Sequence, residues 1–353
     1  MKKMLSLALA LAMTVSLCSC GGGSDTPATS GSASTSTAAP AENKPITLVA
    51  GCTAGETHPY AKTILNAMEK LEEISDGSIT IDYQGGGVLG GEVSMIEQEI
   101  MGEIDIAVCA DMSYGQYAPT IYALSFPGVF ADYAEVEEEY WNGWGRELVE
   151  EQLATQNLKV LGVFDNGFRW FSNNKAPVTT IDGLAGQKVR IPENEFYVSF
   201  WEAIGCQPAT VALGELAVAL QQGVVDAQEL GPNSTYPRGV HLYQKYWTES
   251  CYSYSGCVVS INQDSWDSMS AQQQEWMKEA FAYSEEVTRP YTQELMNDYI
   301  EKMEAEGCEV IRGEFDGKAE LIAAAAAIGK ETAINPPYDQ YISAELLANM
   351  YPS

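Results

Sequence analysis

The sequence has few basic residues and almost no histidine. Its 353 residues include 19 lysines and arginines against 49 aspartates and glutamates, with only two histidines. Nucleic acid and anionic lipid surfaces carry the same sign of charge as this chain and would repel it, so we expect no nucleic-acid partner.

Motifs of enzyme active sites are also missing. There is no GxSxG nucleophile elbow, no HExxH helix and no phosphate loop, and Gly85-Gly86-Gly87 lacks the lysine that phosphate chemistry needs. No CxxC pair or Cys/His cluster has zinc-like spacing. We therefore expect no enzymatic activity, no cofactor and no metal site. The alternative to a protein without enzymatic activity is a hydrolase on the outer surface. The alternative to a protein without a metal site is a cation that bridges the ligand to Glu92 or Glu229.

A long apolar run is absent as well. No stretch reaches the roughly 18 uninterrupted apolar residues of a membrane-spanning helix. Residues 4–17 are apolar and follow two lysines, which is typical of a signal peptide. The run ends in Leu17-Cys18-Ser19-Cys20, which resembles the bacterial lipobox, so we predict cleavage before Cys20 and lipidation of that cysteine. A plain secretory signal is the alternative.

The segment after Cys20 predicts a tether rather than a folded unit. Residues 21–45 consist mostly of Gly, Ser, Thr, Ala and Pro, which cannot bury a core. Removing residues 1–19 would leave 17 basic and 49 acidic residues, a net charge of 17 − 49 = −32. We expect a protein held by lipid on the outer face of the cytoplasmic membrane.

Six further cysteines remain in the mature chain. Cys109 and Cys206 have apolar neighbours, where a free buried thiol is expected. Cys251 and Cys257 could pair, because an exported protein can form disulfides. The remaining cysteines are Cys52 and Cys308.

Hydrophobic periodicity predicts alternating strands and helices in the first half of the chain. Strands are expected at 46–51, 79–83, 104–108 and 158–164, and helices at 59–74, 92–101 and 133–153. This order indicates a parallel sheet covered by helices.

The second half continues the rhythm. We predict a strand at 188–191, a helix at 214–222 followed by a short strand from Val224-Val225, a long helix at 271–306 kinked by Pro290, and outer helices at 319–328 and 343–350. The prediction is an α/β protein with two lobes and a ligand cleft between them.

One short stretch reverses the charge of the chain. Residues 169–190 contain Arg169, Lys175, Lys188 and Arg190 but one acid, Asp182, a net charge of +3. A guanidinium meets a carboxylate with two parallel hydrogen bonds. We predict that Arg190 and Arg169 contact an anionic ligand, with the rings of residues 168, 170 and 171 as apolar walls.

These residues resemble the solute-binding subunits of TRAP transporters, the DctP family. The resemblance is carried by Gly167-Phe168-Arg169, Asn173, Pro177-Val178, the run 182–190, Gly205-Cys206-Gln207-Pro208, Glu215-Leu216, the run 219–229, Leu89-Gly90-Gly91-Glu92, Ile104-Asp105 and Phe126-Pro127. It implies two lobes joined by two crossover strands, with a long helix spanning both. It also implies capture of an organic acid for ion-gradient-driven TRAP membrane subunits, with Arg190 forming the main salt bridge to the ligand and Arg169 a second contact.

The chain departs from the family pattern at several positions. Leu230 replaces the usual asparagine after Gln-Glu, Ala217 replaces an aromatic residue, and Glu193 stands where asparagine is common. Cys52, Ala110, Leu213 and Leu230 stand where sugar-acid binders of this family have polar or aromatic ligand contacts. The buried hydroxyls of a sugar acid would go unsatisfied here, so we predict a carboxylate with an apolar body, such as a 2-oxo, branched or aromatic monocarboxylate. A C4-dicarboxylate and an extracellular sensor lipoprotein are the alternatives.

The resemblance also suggests domain bounds and a set of ligand contacts. Lobe I is expected at 46–166 plus about 254–292, and lobe II at 167–253 plus about 293–353. The predicted ligand-contacting residues are Arg190, Arg169, Phe168, Trp170, Leu213, Leu230, Glu193, Cys52, Ala110 and Glu92.

Overall fold

The computed structural model of the protein describes residues 43–192 and 195–352, and the structural statements below concern these ranges. The predicted signal peptide, the lipidation site at Cys20 and all but the last residues of the predicted tether lie outside the described residues. Helices and two β-sheets make up the described chain. None of the helices in the described ranges combines the length and apolar character that a bilayer crossing needs.

The first sheet contains the predicted parallel unit. Its strands are β1 (Ile46–Cys52), β2 (Ile79–Gln84), β3 (Ile106–Ala110), β4 (Leu158–Phe168) and β10 (Tyr254–Asn262). The order is β2-β1-β3-β10-β4. Strand β1 is parallel to β2 and β3, whereas β10 is antiparallel to both β3 and β4. We call this sheet and the helices packed on it lobe I.

The second sheet is built from shorter strands. These are β5 (Phe171–Asn173), β6 (Lys188–Ile191), β7 (Gln207–Thr210), β8 (Ala227–Gln228), β9 (Tyr246–Thr248) and β11 (Glu309–Ile311). The order is β11-β9-β5-β8-β6-β7, with β6 parallel to β7 and β8. We call this sheet and its helices lobe II.

Twelve α-helices lie in the described ranges. They are α1 (Pro59–Ile74), α2 (Glu92–Ile100), α3 (Asp111–Tyr114), α4 (Tyr133–Glu135), α5 (Trp144–Ala154), α6 (Glu195–Ala203), α7 (Leu216–Gln221), α8 (Pro232–Thr235), α9 (Gln263–Asp267), α10 (Ala271–Ala305), α11 (Lys318–Ala333) and α12 (Ala344–Met350). Both α1 and β6 have the predicted bounds.

The long helix α10 connects the two lobes. It runs for 35 residues, and Pro290 lies within it without ending it. A capping box begins it, because the Ser270 side chain accepts from the Gln273 backbone while Gln273 reaches back to the Ser270 backbone. The helix packs against α1 and β4 of lobe I and against α8 and β11 of lobe II. The two-lobe α/β fold with a long helix is thus confirmed, whereas the lobe bounds stay a prediction.

The acidic segment at 133–153 is not the single helix that its periodicity predicts. After α4 the chain forms a π-helix at Val136–Trp141 and breaks before α5. Gly143 permits the break, since a Cβ there would lie 2.6 Å from the Glu138 carbonyl oxygen. The backbone therefore approaches the preceding turn too closely for any other residue.

One further prediction is corrected, and the open question of a disulfide is answered. Val224-Val225 does not begin a strand, because Gly223 adopts a positive φ of 70° and the Val224 amide donates back to the Ala219 carbonyl, so the chain is still closing α7. Cys251 and Cys257 are free thiols. Cys257 lies in the middle of β10, between Ala110 of β3 and Phe164 of β4.

Candidate functional site

The carboxyl ends of the parallel strands in the two lobes face each other. In lobe I, β1 ends at Cys52 and β3 ends at Ala110, which α3 follows directly. In lobe II, β6 ends at Ile191 and β8 leads into Glu229. In open α/β sheets, ligands bind outside these strand ends. The sheet topology therefore places the candidate site between the lobes.

Arg190 lies on β6, one residue before the strand ends. The side chain is 3% exposed, and its Nε donates to the Val211 carbonyl oxygen at 2.8 Å. Val211 follows β7, which pairs with β6 so that Ala209 lies opposite Arg190. The bond to the carbonyl fixes the plane of the guanidinium at the strand end.

Arg169 lies in the crossover between β4 and β5 and forms a buried ion pair. Its Nε and Nη2 donate to the two carboxylate oxygens of Glu229, and the Tyr252 hydroxyl donates to Glu229 Oε2 at 2.9 Å. The guanidinium carbon lies 4.9 Å from the centre of the Tyr197 ring. Burial is the largest influence and lowers the pKa of Arg169, but the Glu229 carboxylate, together with Tyr197 and Tyr252, raises this pKa well above the usual value.

The third nitrogen of Arg169 reaches lobe I. Nη1 lies 3.8 Å from the Sδ atom of Met112 in α3. Asp111, at the start of α3, also interacts electrostatically with Arg169. Because α3 follows β3 directly and Glu229 follows β8, this contact brings the end of β3 next to the Arg169–Glu229 pair.

The rings of Phe168 and Trp170 pack against other groups of the protein. The Phe168 ring makes edge contacts with Tyr133 and Tyr254, at centroid distances of 5.2 and 5.3 Å. Trp170 belongs to the lobe II core, with Leu230 among its members. The role of the two rings as apolar walls around a ligand stays a prediction.

The apolar residues predicted at the site lie on both lobes. Cys52 and Ala110 end neighbouring strands of lobe I, and burial raises the pKa of the Cys52 thiol to about 11, so it is neutral. Leu213 and Leu230 pack on the lobe II core. The Leu230 backbone is held by Gln228, whose side chain both accepts from the Leu230 amide at 2.7 Å and donates to the Leu230 carbonyl at 3.0 Å. Glu193 lies outside the described residues.

Glu92 begins α2 and is tied to the end of β3. Its Oε2 accepts hydrogen bonds from the Ala110 amide at 3.1 Å and the Ser113 hydroxyl at 2.6 Å. Burial raises the pKa of Glu92, while these two bonds and the charge of Arg238 act in the opposite direction. In the described parts of the chain, no group of three or more His, Cys, Asp or Glu side chains is arranged to hold a metal ion.

Arg238 is a site residue that the sequence patterns did not indicate. It ends the short helix Tyr236–Arg238 in lobe II, and its Nη1 donates to the Ser234 carbonyl oxygen at 2.6 Å. Its charge acts on Glu92 and Cys52 in lobe I. Arg238 therefore lies within electrostatic range of these two lobe I residues. Arginine is uncommon in this acidic chain, which could have drawn attention to Arg238, but its sequence neighbours are not basic.

The chain matches the family described as bacterial extracellular solute-binding protein, family 7 (DctP), over residues 50–335. The C4-dicarboxylate-binding periplasmic protein DctP of Rhodobacter capsulatus is 25% identical over 271 residues, which cover 76% of this chain and 81% of that protein. The 2,3-diketo-L-gulonate-binding periplasmic protein of Escherichia coli is 26% identical over 249 residues, covering 70% and 75%.

The fold is similar to that of a TRAP periplasmic solute-binding protein from a Sulfitobacter species, solved with bound β-D-galacturonate. The TM-score is 0.80 at 24% identity, and the match covers 87% of this chain and all of that one. Together with the family match over most of the chain, this resemblance confirms the assignment made from the residues around Arg190. The chain belongs to the DctP family of bacterial extracellular solute-binding proteins, the solute-binding components of TRAP transporters.

Proposed function

We propose that this protein captures a small organic monocarboxylate with a largely apolar body and delivers it to TRAP membrane subunits. Arg190 carries the proposal, because its guanidinium is buried and oriented at a strand end in a chain of net charge −30. A planar guanidinium in such a place binds a carboxylate bidentately. Exposed acids elsewhere are screened beyond roughly 8 Å and do not cancel a local arginine.

Arg169 plays a supporting part in this site. Its Nε and Nη2 are bound by Glu229, so the Nη1 edge beside Met112 is what remains to approach a ligand. We propose that the Arg169–Glu229 pair shapes the interlobe site and that Arg190 supplies the main ligand contact.

The apolar body follows from the residues around the arginines. Cys52 and Ala110 in lobe I, and Leu213 and Leu230 in lobe II, offer little hydrogen bonding to a polyol chain. A sugar acid enclosed here would lose water from several hydroxyls without replacing those bonds, which costs roughly 1–3 kcal/mol for each. Several structural neighbours were solved with sugar acids. The apolar residues at this site favour a different ligand for this chain.

Capture requires no chemistry from the protein. A ligand that contacts both lobes stabilises the closed arrangement only by the difference in its affinity for the closed and open forms. We further propose that lipidation of Cys20 holds the protein at the outer face of the cytoplasmic membrane. Mass spectrometry of the mature N-terminal peptide tests that point, and an unmodified peptide would exclude it.

Thermal unfolding with a panel of carboxylates tests the ligand class. At a ligand concentration of 100 times Kd, binding adds about 2.7 kcal/mol, equivalent to about 4 °C for a chain of this size. We expect this shift with apolar monocarboxylates for the wild type and no shift for Arg190→Gln.

Arg312→Gln is the matched control, because Arg312 is exposed and its Nη2 donates a hydrogen bond to Asn297 Oδ1 at 2.8 Å. This control removes the same charge and should retain the full shift. An undiminished shift in Arg190→Gln would refute the site. A shift given only by C4-dicarboxylates or sugar acids would refute the ligand class while leaving the site standing.

A further inference from the structure

A cavity separate from the candidate site lies beside the two segments that join the lobes. Its volume of about 400 Å³ is within the range of small-molecule sites. Both connecting segments line it, with Phe168 and Trp170 where β4 leads into β5 and Cys251 where β9 leads into β10. Met296 of α10 and Ile322 of α11 add to its apolar part. We call this space the hinge cavity.

The hinge cavity and the carboxylate site lie on different sides of the first connecting segment. Arg169 directs its guanidinium to Glu229, whereas its two neighbours, Phe168 and Trp170, line the cavity. The Arg169 amide donates to the Ser253 carbonyl as in a pair of strands, and successive side chains of an extended chain point to opposite sides. The cavity is therefore distinct from the site around the arginines.

The charged side chains that line the hinge cavity are mostly acidic. They are Asp132, Glu249 and Glu314 against one lysine, Lys318, which gives a net charge of −2. Lys318 is engaged by its own chain, because its Nζ donates to the Gly313 carbonyl oxygen at 2.8 Å and lies 4.0 Å from Glu314 Oε1. The cavity therefore attracts a cation, whereas the carboxylate site attracts an anion.

Backbone amides hold two of these carboxylates in place. Asp132 Oδ1 accepts from the Ala134 and Glu135 amides at 2.8 and 3.0 Å, and Glu249 Oε2 accepts from the Gly313 amide at 2.6 Å. Each carboxylate has a second oxygen that can accept from a ligand. An ammonium group offers three N–H donors to such oxygens.

We propose that the hinge cavity binds a small organic ammonium ion. Its aromatic or branched hydrocarbon body packs on Phe168 and Trp170, and its ammonium group donates to the carboxylates at the rim. The combination selects the class, because an inorganic cation gains nothing from the rings and a neutral or anionic molecule gains nothing from the carboxylates. The proposal goes beyond the carboxylate site and does not rest on it.

Two molecules with the same body and different charge test the inference. Phenethylamine, which is protonated at pH 7, is compared with 2-phenylethanol by calorimetric titration of the full mature protein. The titrations are run at about 0.15 M salt, which screens the general attraction of an acidic surface for cations. The wild type is expected to bind phenethylammonium at least about tenfold more tightly than phenylethanol.

Asp132→Asn and Glu249→Gln each remove one charge from the rim. Both new side chains keep an oxygen that can accept from the same backbone amides, and asparagine also caps helices well. Each substitution is expected to weaken phenethylammonium by about fivefold or more and to leave the Kd of phenylethanol within about twofold. Glu103→Gln is the matched control, because Glu103 is exposed and lies outside the cavity.

Cys251 gives a readout at the cavity itself. Its partly exposed thiol lines the hinge cavity, whereas the partly exposed thiol of Cys308 lies elsewhere in lobe II. With phenethylammonium at ten times its Kd, alkylation of Cys251 followed by peptide mass spectrometry should slow about tenfold. Cys308 should keep its rate.

The outcomes separate this site from the carboxylate site. Phenethylammonium that binds no more tightly than phenylethanol, that binds unchanged to both rim variants, or that leaves the alkylation of Cys251 unchanged overturns the proposal. Arg190→Gln should bind phenethylammonium as the wild type does. A loss of amine binding in that variant would place the amine at the carboxylate site and would also overturn the proposal.

Discussion

The Glu229→Leu substitution leaves the guanidinium of Arg169 buried without its carboxylate. Arg169 is 2% exposed and Glu229 is fully buried, and the Tyr252 hydroxyl loses its acceptor as well. Breaking one side of a buried ion pair costs about 3–5 kcal/mol. For roughly 300 folded residues the unfolding entropy is about 0.6 kcal/mol per degree, so the melting temperature should fall by about 5–8 °C.

A double-mutant cycle separates the interaction energy of the Arg169–Glu229 pair from the effect of replacing each side chain by one of another shape. Arg169→Met combined with Glu229→Leu removes both charges, and replacing a buried pair by apolar groups is often close to neutral. We expect the double variant to be more stable than either single variant, with a coupling free energy of about 2 kcal/mol or more in thermal and urea unfolding. Additive losses, or a loss under about 1 kcal/mol in Glu229→Leu, would refute the view that this pair is a coupled buried unit.

Two other sites give stability predictions. Burial raises the pKa of Asp165 from 3.8 to about 7 although the Tyr254 hydroxyl donates to it, so the folded protein holds a proton that the unfolded chain has released. The contribution of Asp165 to the free energy of unfolding therefore falls as the pH rises from 3.8 to about 7. Asp165→Asn should reduce the dependence of the free energy of unfolding on pH, measured from pH 5 to about 8. Gly128 has a φ of 73° and an added Cβ would lie 2.3 Å from the Ala326 Cβ, so Gly128→Ala should cost at least about 2 kcal/mol. Gly186→Ala, with a φ of 75° and no atom within 4 Å, should cost only about 1 kcal/mol by the same denaturation assay, and equal losses would contradict the packing explanation.

Local patterns in the sequence were enough for the elements whose signals lie within a few residues. Pro59–Ile74 combines a helical apolar face with a proline in its first turn, and it has the predicted bounds. Lys188–Ile191 ends before Pro192 and is also a strand as predicted. The prediction of a single helix at 133–153 was wrong, because an unbroken helical period does not reveal that the Gly143 backbone approaches the preceding turn.

The partners of the arginines could not be predicted from the sequence. Arg169 was expected to contact the ligand, yet it binds Glu229, which lies 60 residues further along the chain. With 49 carboxylates available, no pattern singles out this one. Arg238 was overlooked for the same reason, since its interaction with Glu92 depends on how two lobes face each other.

The sequence by itself determined the family, the α/β class and the positions of the strand that carries Arg190 and of the helix that His58 caps, because these depend on local periodicity and on ordered motifs. Tertiary structure alone decided that β10 lies antiparallel between β3 and β4, that Glu229 pairs with Arg169, and that the Nε2 atom of His58 is buried without a hydrogen-bond partner among the described residues. Such pairings arise between residues far apart in the chain, and their free energy depends on burial, which single-residue patterns do not encode.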